Sequence, residues 1–403
     1  MTAAAILPLR RNLRFQTFWI GSVSATLGQA VGDVAFPLAI VAMTGSPGKA
    51  GLFSAVEVVG LLVGGLPAGE LADRYDSRRL ALLAHGVRGI ASCVVVVALA
   101  GGWLTLPLLL AAAVVLGGGR ALGSAASILL LRSIVPGEQL TLALTQDEVR
   151  LNGASLAGPA LAGFLYGLRS TAPFIFTAVS YLLAMTSTIF VSAPPGVADA
   201  KPASSGGGML AGIRELLGQP VLRGAVILIM LANTIGAGFE LLIIVILRHQ
   251  HVPSYAIGLA LGLGAVGGLV GAPLVKILHR LPPGILLLAL CVIDVPILLL
   301  LAVPFGPWWV AGLLFAEMLG VPAIRVLVDI LVIRQAPPER RGRVVAALMT
   351  LIALGMPIGV AGCGLLLQYL PAQIAMLTLA AAMAVATGYG LSRPELRHAR
   401  WPS

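Results

Sequence analysis

Long apolar runs separated by short polar gaps dominate the chain. A run of about 20 apolar residues is long enough for a helix to cross a bilayer. Reading the gaps by charge, Gly and Pro predicts spans near residues 15–44, 50–72, 80–101, 105–132, 143–168 and 171–193. A second set follows near 221–248, 254–279, 284–303, 308–334, 343–369 and 371–391. Between the sets, residues 194–220 hold Pro194, Pro195, Gly196, Asp199, Lys201, Pro202 and a run of Ser and Gly, the composition of a flexible linker. Apolar periodicity resumes at Met209, Leu210, Ile213, Leu216 and Leu217, predicting a short interfacial helix on that linker. The expected fold is all-α: a polytopic membrane protein of twelve transmembrane helices in two pseudo-symmetric six-helix bundles. The bundles are assigned to residues 1–193 and 221–403, joined by the linker at 194–220.

Composition sharpens this picture. Hydrophobic residues make up 58% of the 403 residues and charged residues 10%, and the mean hydropathy is +0.99. A soluble globule needs roughly a quarter of its residues charged, so lipid is the solvent for most of this chain. The net charge of +10 does not indicate nucleic-acid binding, because the basic residues lie in the gaps between spans and not on one solvated face. The gaps after even-numbered spans hold Arg74, Arg78, Arg79, Arg132, Lys276, Arg280, Arg340 and Arg341. The odd gaps hold only Lys49, Arg169 and Arg248. The bias places the even gaps, the linker and both termini in the cytoplasm, with the chain a multi-pass protein of the inner membrane. The apolar run after Arg14 is far longer than the core of a signal peptide, so it reads as a retained first span. Cys93, Cys291 and Cys363 lie inside apolar runs without paired or metal-ligand spacing, and no metal site or cofactor is expected.

The halves echo each other. Arg120 and Arg325 lie at similar depths in spans 4 and 10; Arg132, Pro136 and Glu138 after span 4 correspond to Arg334, Pro337 and Glu339 after span 10. Such repetition is how transporters build two bundles around a midplane site. The loop after span 2 carries Gly69, Leu71, Asp73, Arg74, Arg78 and Arg79. It resembles the loop motif of the major facilitator superfamily, with Asp76 where the motif's second Gly usually stands. Arg120 followed by Gly123 resembles that family's intramembrane-arginine motif, one residue shorter. Gly153 to Gly163, with Gly158 and Pro159, resembles the family's antiporter motif of span 5, although small residues and a kink are also ordinary helix-packing features. Within the superfamily, the chain is similar to twelve-span drug:proton antiporters of the macrolide-efflux and siderophore-exporter kind, to which Asp147, Glu148 and Arg150 also correspond.

The resemblance implies that the loop cluster latches the bundles on the cytoplasmic side, with span 11 near Arg343 as its partner, and that spans 1, 4, 7 and 10 line a cavity. Ionisable groups at membrane depth are costly unless they are paired, hydrated or neutralised. Asp33, one turn from Gln29, is the first candidate for proton coupling or cation binding. Glu240, seven residues from Asn233 on the same predicted helix, is the second, and Glu317 the third. The alternative for each is an acid permanently paired within the fold. Arg325 and Asp329, four apart, read as a neutralising ion pair. Arg120 is a candidate partner of Asp33. Glu57 is expected toward the outer side as a cavity wall or gate, Arg88 is expected to snorkel, and Asp294 has no readable role.

The leading expectation is a secondary transporter, not an enzyme, that exports a small amphiphilic organic compound such as a drug, antibiotic or secondary metabolite. The proton gradient would drive it, and the protein would work as a monomer. The alternatives are an importer or facilitator of a small nutrient, and a receptor or membrane enzyme on the same scaffold. Few Asn, Gln, Trp and Tyr lie in the spans, which argues against a sugar site. No Walker loop or hydrolase constellation is present.

Overall fold

The computed structural model describes residues 9–191, 209–218, 220–303, 305–327 and 341–397. Among these, all regular structure is helical, as lipid demands of a backbone that must satisfy its own hydrogen bonds. The helices are α1 (Leu13–Thr44), α2 (Pro47–Arg74), α3 (Ser77–Ala100), α4 (Leu106–Ile134), α5 (Leu140–Leu168), α6 (Ala172–Phe190), α7 (Met209–Gly218) and α8 (Pro220–Ala237). They continue as α9 (Phe239–His249), α10 (Ser254–Leu278), α11 (Pro283–Leu301), α12 (Pro307–Met318), α13 (Arg341–Tyr369), α14 (Ala372–Leu391) and α15 (Pro394–Arg397). Eleven segments are long and apolar enough to cross a membrane. The twelfth expected span, α5, is 29 residues long but carries Asp147, Glu148 and Arg150 two to three turns from its start. Proline in the first turn starts α4, α6, α11 and α12, where its missing N–H costs nothing. Gly45 and Gly102, with φ of +63° and +73°, turn the chain after α1 and α3.

The chain divides into two compact units, Met1–Ala39 with Val56–Ala203 and Ile40–Ala55 with Ser204–Ser403. The division therefore runs through α1 and α2. In the first unit α3 packs on α4 and α6. Helix α1 lies along α6: Ser24 Oγ donates to Ser180 O at 3.1 Å and Thr177 Oγ1 donates to Gly28 O at 3.0 Å. At one end Phe15, Phe18, Leu130, Leu131 and Val191 form an apolar cluster. Asn12 ties two helix ends there, donating to Ile134 O at 3.2 Å and accepting from Phe15 N at 3.2 Å.

In the second unit, α10 and α12 approach backbone to backbone. A side chain at Gly267 or Gly271 would collide with the carbonyls of Phe315 and Leu319, the small-residue packing expected where apolar burial drives no association. Helix α11 packs on α14, where Thr387 Oγ1 donates to Cys291 O at 3.3 Å. The predicted linker helix is present as α7; it packs on α13 and buries Leu216 completely.

Two sequence expectations are revised. Span 7, expected over 221–248, is present as one apolar segment, Leu222–His249, but a turn at Gly238 divides its helix into α8 and α9. The carbonyl of Gly238 there accepts from the Cys363 thiol at 3.0 Å. In span 10, α12 ends at Met318, a turn follows at Leu319 and Gly320, and residues 321–327 are again helical.

Candidate functional site

The first unit encloses a cavity of about 380 Å³, within the few hundred Å³ typical of sites for small organic molecules. Its apolar wall includes Phe18, Ala25, Ile128, Leu131, Leu144 and Leu151. Its polar lining includes Gln29, Asp33, His85, Arg88, Arg120, Asp147 and Arg150. Helices α1, α3, α4 and α5 supply these groups, so the predicted pairing of spans 1 and 4 at a cavity wall is present, joined by two spans that sequence reasoning did not select.

Arg88 organises the polar side. It was expected to snorkel, and instead only 5% of it is exposed. The reason is packing: Arg88 lies on the face of α3 that is turned toward α4, α6 and the cavity, and not on the exposed face that carries Leu83, Ile90 and Val97. Its guanidinium donates from Nη2 to Gln29 Oε1 at 2.9 Å and to the Tyr181 hydroxyl at 2.5 Å, and lies 4.1 Å from the centre of the Tyr181 ring. Its Nε is buried without a partner. Asp33 is within hydrogen-bonding reach of Gln29 and feels the charge of Arg120 most and Arg88 next. Glu57 belongs to the same cluster, interacting with Asp33, Arg120 and Arg88. Two acids thus share two arginines, while Arg88 turns two of its hydrogen bonds to neutral partners. Nearby, Arg150 pairs with Asp147 at 2.6 Å across one helical turn.

Gly158 seats α5 against α1: an added Cβ would overlap Ala30, which lines the cavity. Pro159 lies within α5 without ending it, and Gly163 is buried. The loop-motif residues are placed as follows. Gly69, Asp73 and Arg74 belong to the end of α2, and Asp76 caps α3, its Oδ1 accepting from Arg79 N at 2.9 Å. That cap explains an acid where the motif usually has Gly. Arg78 donates to the carbonyls of Thr188 and Ile189 at the end of α6, a cation on the negative end of a helix. Arg79 is exposed.

In the second unit Asn233 donates to Ile352 O at 3.0 Å, binding α8 to α13. Glu240 is the second residue of α9, beyond the turn, and is exposed, so the two residues do not share one uninterrupted helix face. Glu317 lines a small cavity together with Asp294, the residue for which the sequence showed no role. Arg325 lies in the helical residues 321–327, whereas its expected partner Asp329 lies outside the described residues.

The profile of the Major Facilitator Superfamily matches residues 18–360. The chain belongs to that superfamily. It is a multi-pass membrane transporter of the superfamily, and its similar proteins include exporters. It is 29% identical over 352 residues to the enterobactin exporter EntS of Citrobacter koseri, covering 82% of this chain and 79% of that protein. It is 27% identical over 350 residues to EntS of Salmonella typhimurium, covering 82% and 80%. Among solved structures, a bacterial Spinster homologue covers 99% of this chain and 100% of its own with a TM-score of 0.74 at 15% identity. The nucleoside transporter NupG covers 95% and 99% with a TM-score of 0.75 at 14% identity. At these identities the structures speak for the superfamily fold alone.

Proposed function

We propose that this transporter exports a small amphiphilic organic compound across the inner membrane in exchange for protons, as a monomer with both termini in the cytoplasm. The observation that carries the reading is the cavity of the first unit, where apolar walls face a buried cluster of Asp33, Gln29, Arg88, Tyr181 and Arg120. Apolar walls accept the body of an amphiphile and the polar cluster orients its hydrogen-bonding groups. Asp33 is the coupling group. Ionised, it is held by Arg120 and Gln29; protonated, it releases Arg120 toward the ligand or toward Glu57. A group that changes partner with its charge supplies the differential interaction a two-state transporter needs. The Lys and Arg bias of the gaps supports the orientation. The names of the similar exporters make a siderophore of the enterobactin kind the first substrate to test.

The test is expression in an efflux-deficient host scored against a compound panel that includes enterobactin, with and without a protonophore, beside Asp33→Asn. Gradient-dependent export by the parent and its loss in the variant are expected. Equal export by both, or export indifferent to the protonophore, contradicts the coupling assignment.

A further inference from the structure

The second unit holds a cavity of another kind. Its volume is about 30 Å³, the share of liquid occupied by roughly one water molecule, so no organic substrate fits. Asp294 of α11 and Glu317 of α12 both line it, among apolar neighbours that include Ile235, Phe239, Ile297 and Leu298. Glu317 Oε2 is fully buried and has no hydrogen-bond partner, and Asp294 is the ionisable neighbour whose charge reaches it. The other ionisable groups on the described elements around them are Cys291 on α11, Arg223 on α8, Arg248 and His249 on α9, Tyr255 and Lys276 on α10 with His279 at its end, Arg325 in the helical residues 321–327, Tyr389 on α14, and the charged ends of α15. None of them lines the cavity. Glu240, next to the wall residue Phe239, is exposed.

Two carboxylates that share a small, apolar-lined space with no base in its lining cannot both be ionised, because desolvation and mutual repulsion both oppose it. Something small and positive must sit there. Hard metal cations gather about six or more oxygen ligands, and apart from the two carboxyl groups the lining side chains offer none. We propose that Asp294 and Glu317 form a proton-binding site in which both acids are protonated and one proton exchanges. When it leaves to water, one O–H bond breaks, and the remaining carboxylic O–H donates to the new carboxylate, so a single charge is shared between the two groups. The assignment to coupling rests on the proton-exchange reading above; the binding of the proton does not.

The experiment is an infrared pH titration of the detergent-purified full chain, following the carbonyl stretch of protonated carboxyl groups, for the parent, Glu317→Gln, Asp294→Asn, their double variant and Asp33→Asn. The parent is expected to lose intensity in a single one-proton step within the pH range over which the chain stays folded. Each of Glu317→Gln and Asp294→Asn leaves one acid whose charge is no longer shared with a second carboxyl, so each moves the step away from its position in the parent, and the double variant Asp294→Asn/Glu317→Gln loses it; a single variant decides if the double variant does not fold. Asp33→Asn keeps it, which separates this result from any failure of export. A step that stays in place in Glu317→Gln or Asp294→Asn, or survives in the double variant, overturns the proposal. So does loss of the parent's step on replacing choline chloride with sodium chloride at constant pH, which would mean a metal cation occupies the pair.

Discussion

The two units of this transporter each hold acids at membrane depth, and they treat them differently. In the first, Asp33 and Glu57 lie among Arg88, Arg120, Gln29 and Tyr181 beside a cavity of about 380 Å³. In the second, Asp294 and Glu317 both line a cavity of about 30 Å³ with no base in its lining. The first arrangement keeps charge inside the bilayer by surrounding it with countercharge and donors. The second has no such means, and neutralisation is left to a proton. An acid with a base beside it can respond to a ligand; an acid with only another acid beside it responds to pH.

The sharpest way to break this contrast is Arg88→Met. It strands the buried hydroxyl of Tyr181 and the amide of Gln29 and leaves the two acids with one arginine. A loss of about 3–5 kcal/mol is expected, as when one partner of a buried charge network is removed, read as a large drop in the thermal midpoint of the detergent-purified protein. Asp33→Asn follows. Gradient-driven export should fall at least about tenfold, equivalent to about 1.4 kcal/mol, with the fold intact because Asn still accepts from Gln29. Tyr181→Phe removes one hydrogen bond and keeps the ring under Arg88, so about 1 kcal/mol is expected in the same thermal assay. Glu317→Gln is the smallest. An amide replacing a neutral carboxyl of the same shape should move stability by no more than about 0.5 kcal/mol. A loss as large as that of Arg88→Met would show that Glu317 is ionised and paired, and the contrast between the units would fail.

Much of the fold was legible because a bilayer sets a coarse rule. Apolar runs of about 20 residues marked the spans, and the amphipathic spacing from Met209 to Leu217 marked α7. The departures occur where a partner on another helix decides the outcome. Depth along α3 suggested that Arg88 snorkels, but depth says nothing of which face is enclosed; its spacing of three from His85, also buried, was the available hint. Asp294 had no readable role because its neighbour Glu317 lies on the next span, and no sequence spacing links them. Asn233 and Glu240 share a face only on an unbroken helix, and Gly236 and Gly238 between them were the sign that the helix is interrupted. Asp33, Gln29 and Arg120 were chosen because few polar groups lie so deep, and that scarcity carried the information.

The central claim, that Asp33 couples a proton to an organic substrate in the first unit's cavity, is tested most directly in inside-out vesicles carrying either the parent or Asp33→Asn. Uptake of a panel compound is measured under an imposed pH gradient, and its exchange is measured with no gradient. The account predicts that the parent accumulates the compound until a protonophore is added, while Asp33→Asn still exchanges it but does not accumulate it. Accumulation by Asp33→Asn equal to that of the parent would contradict the account.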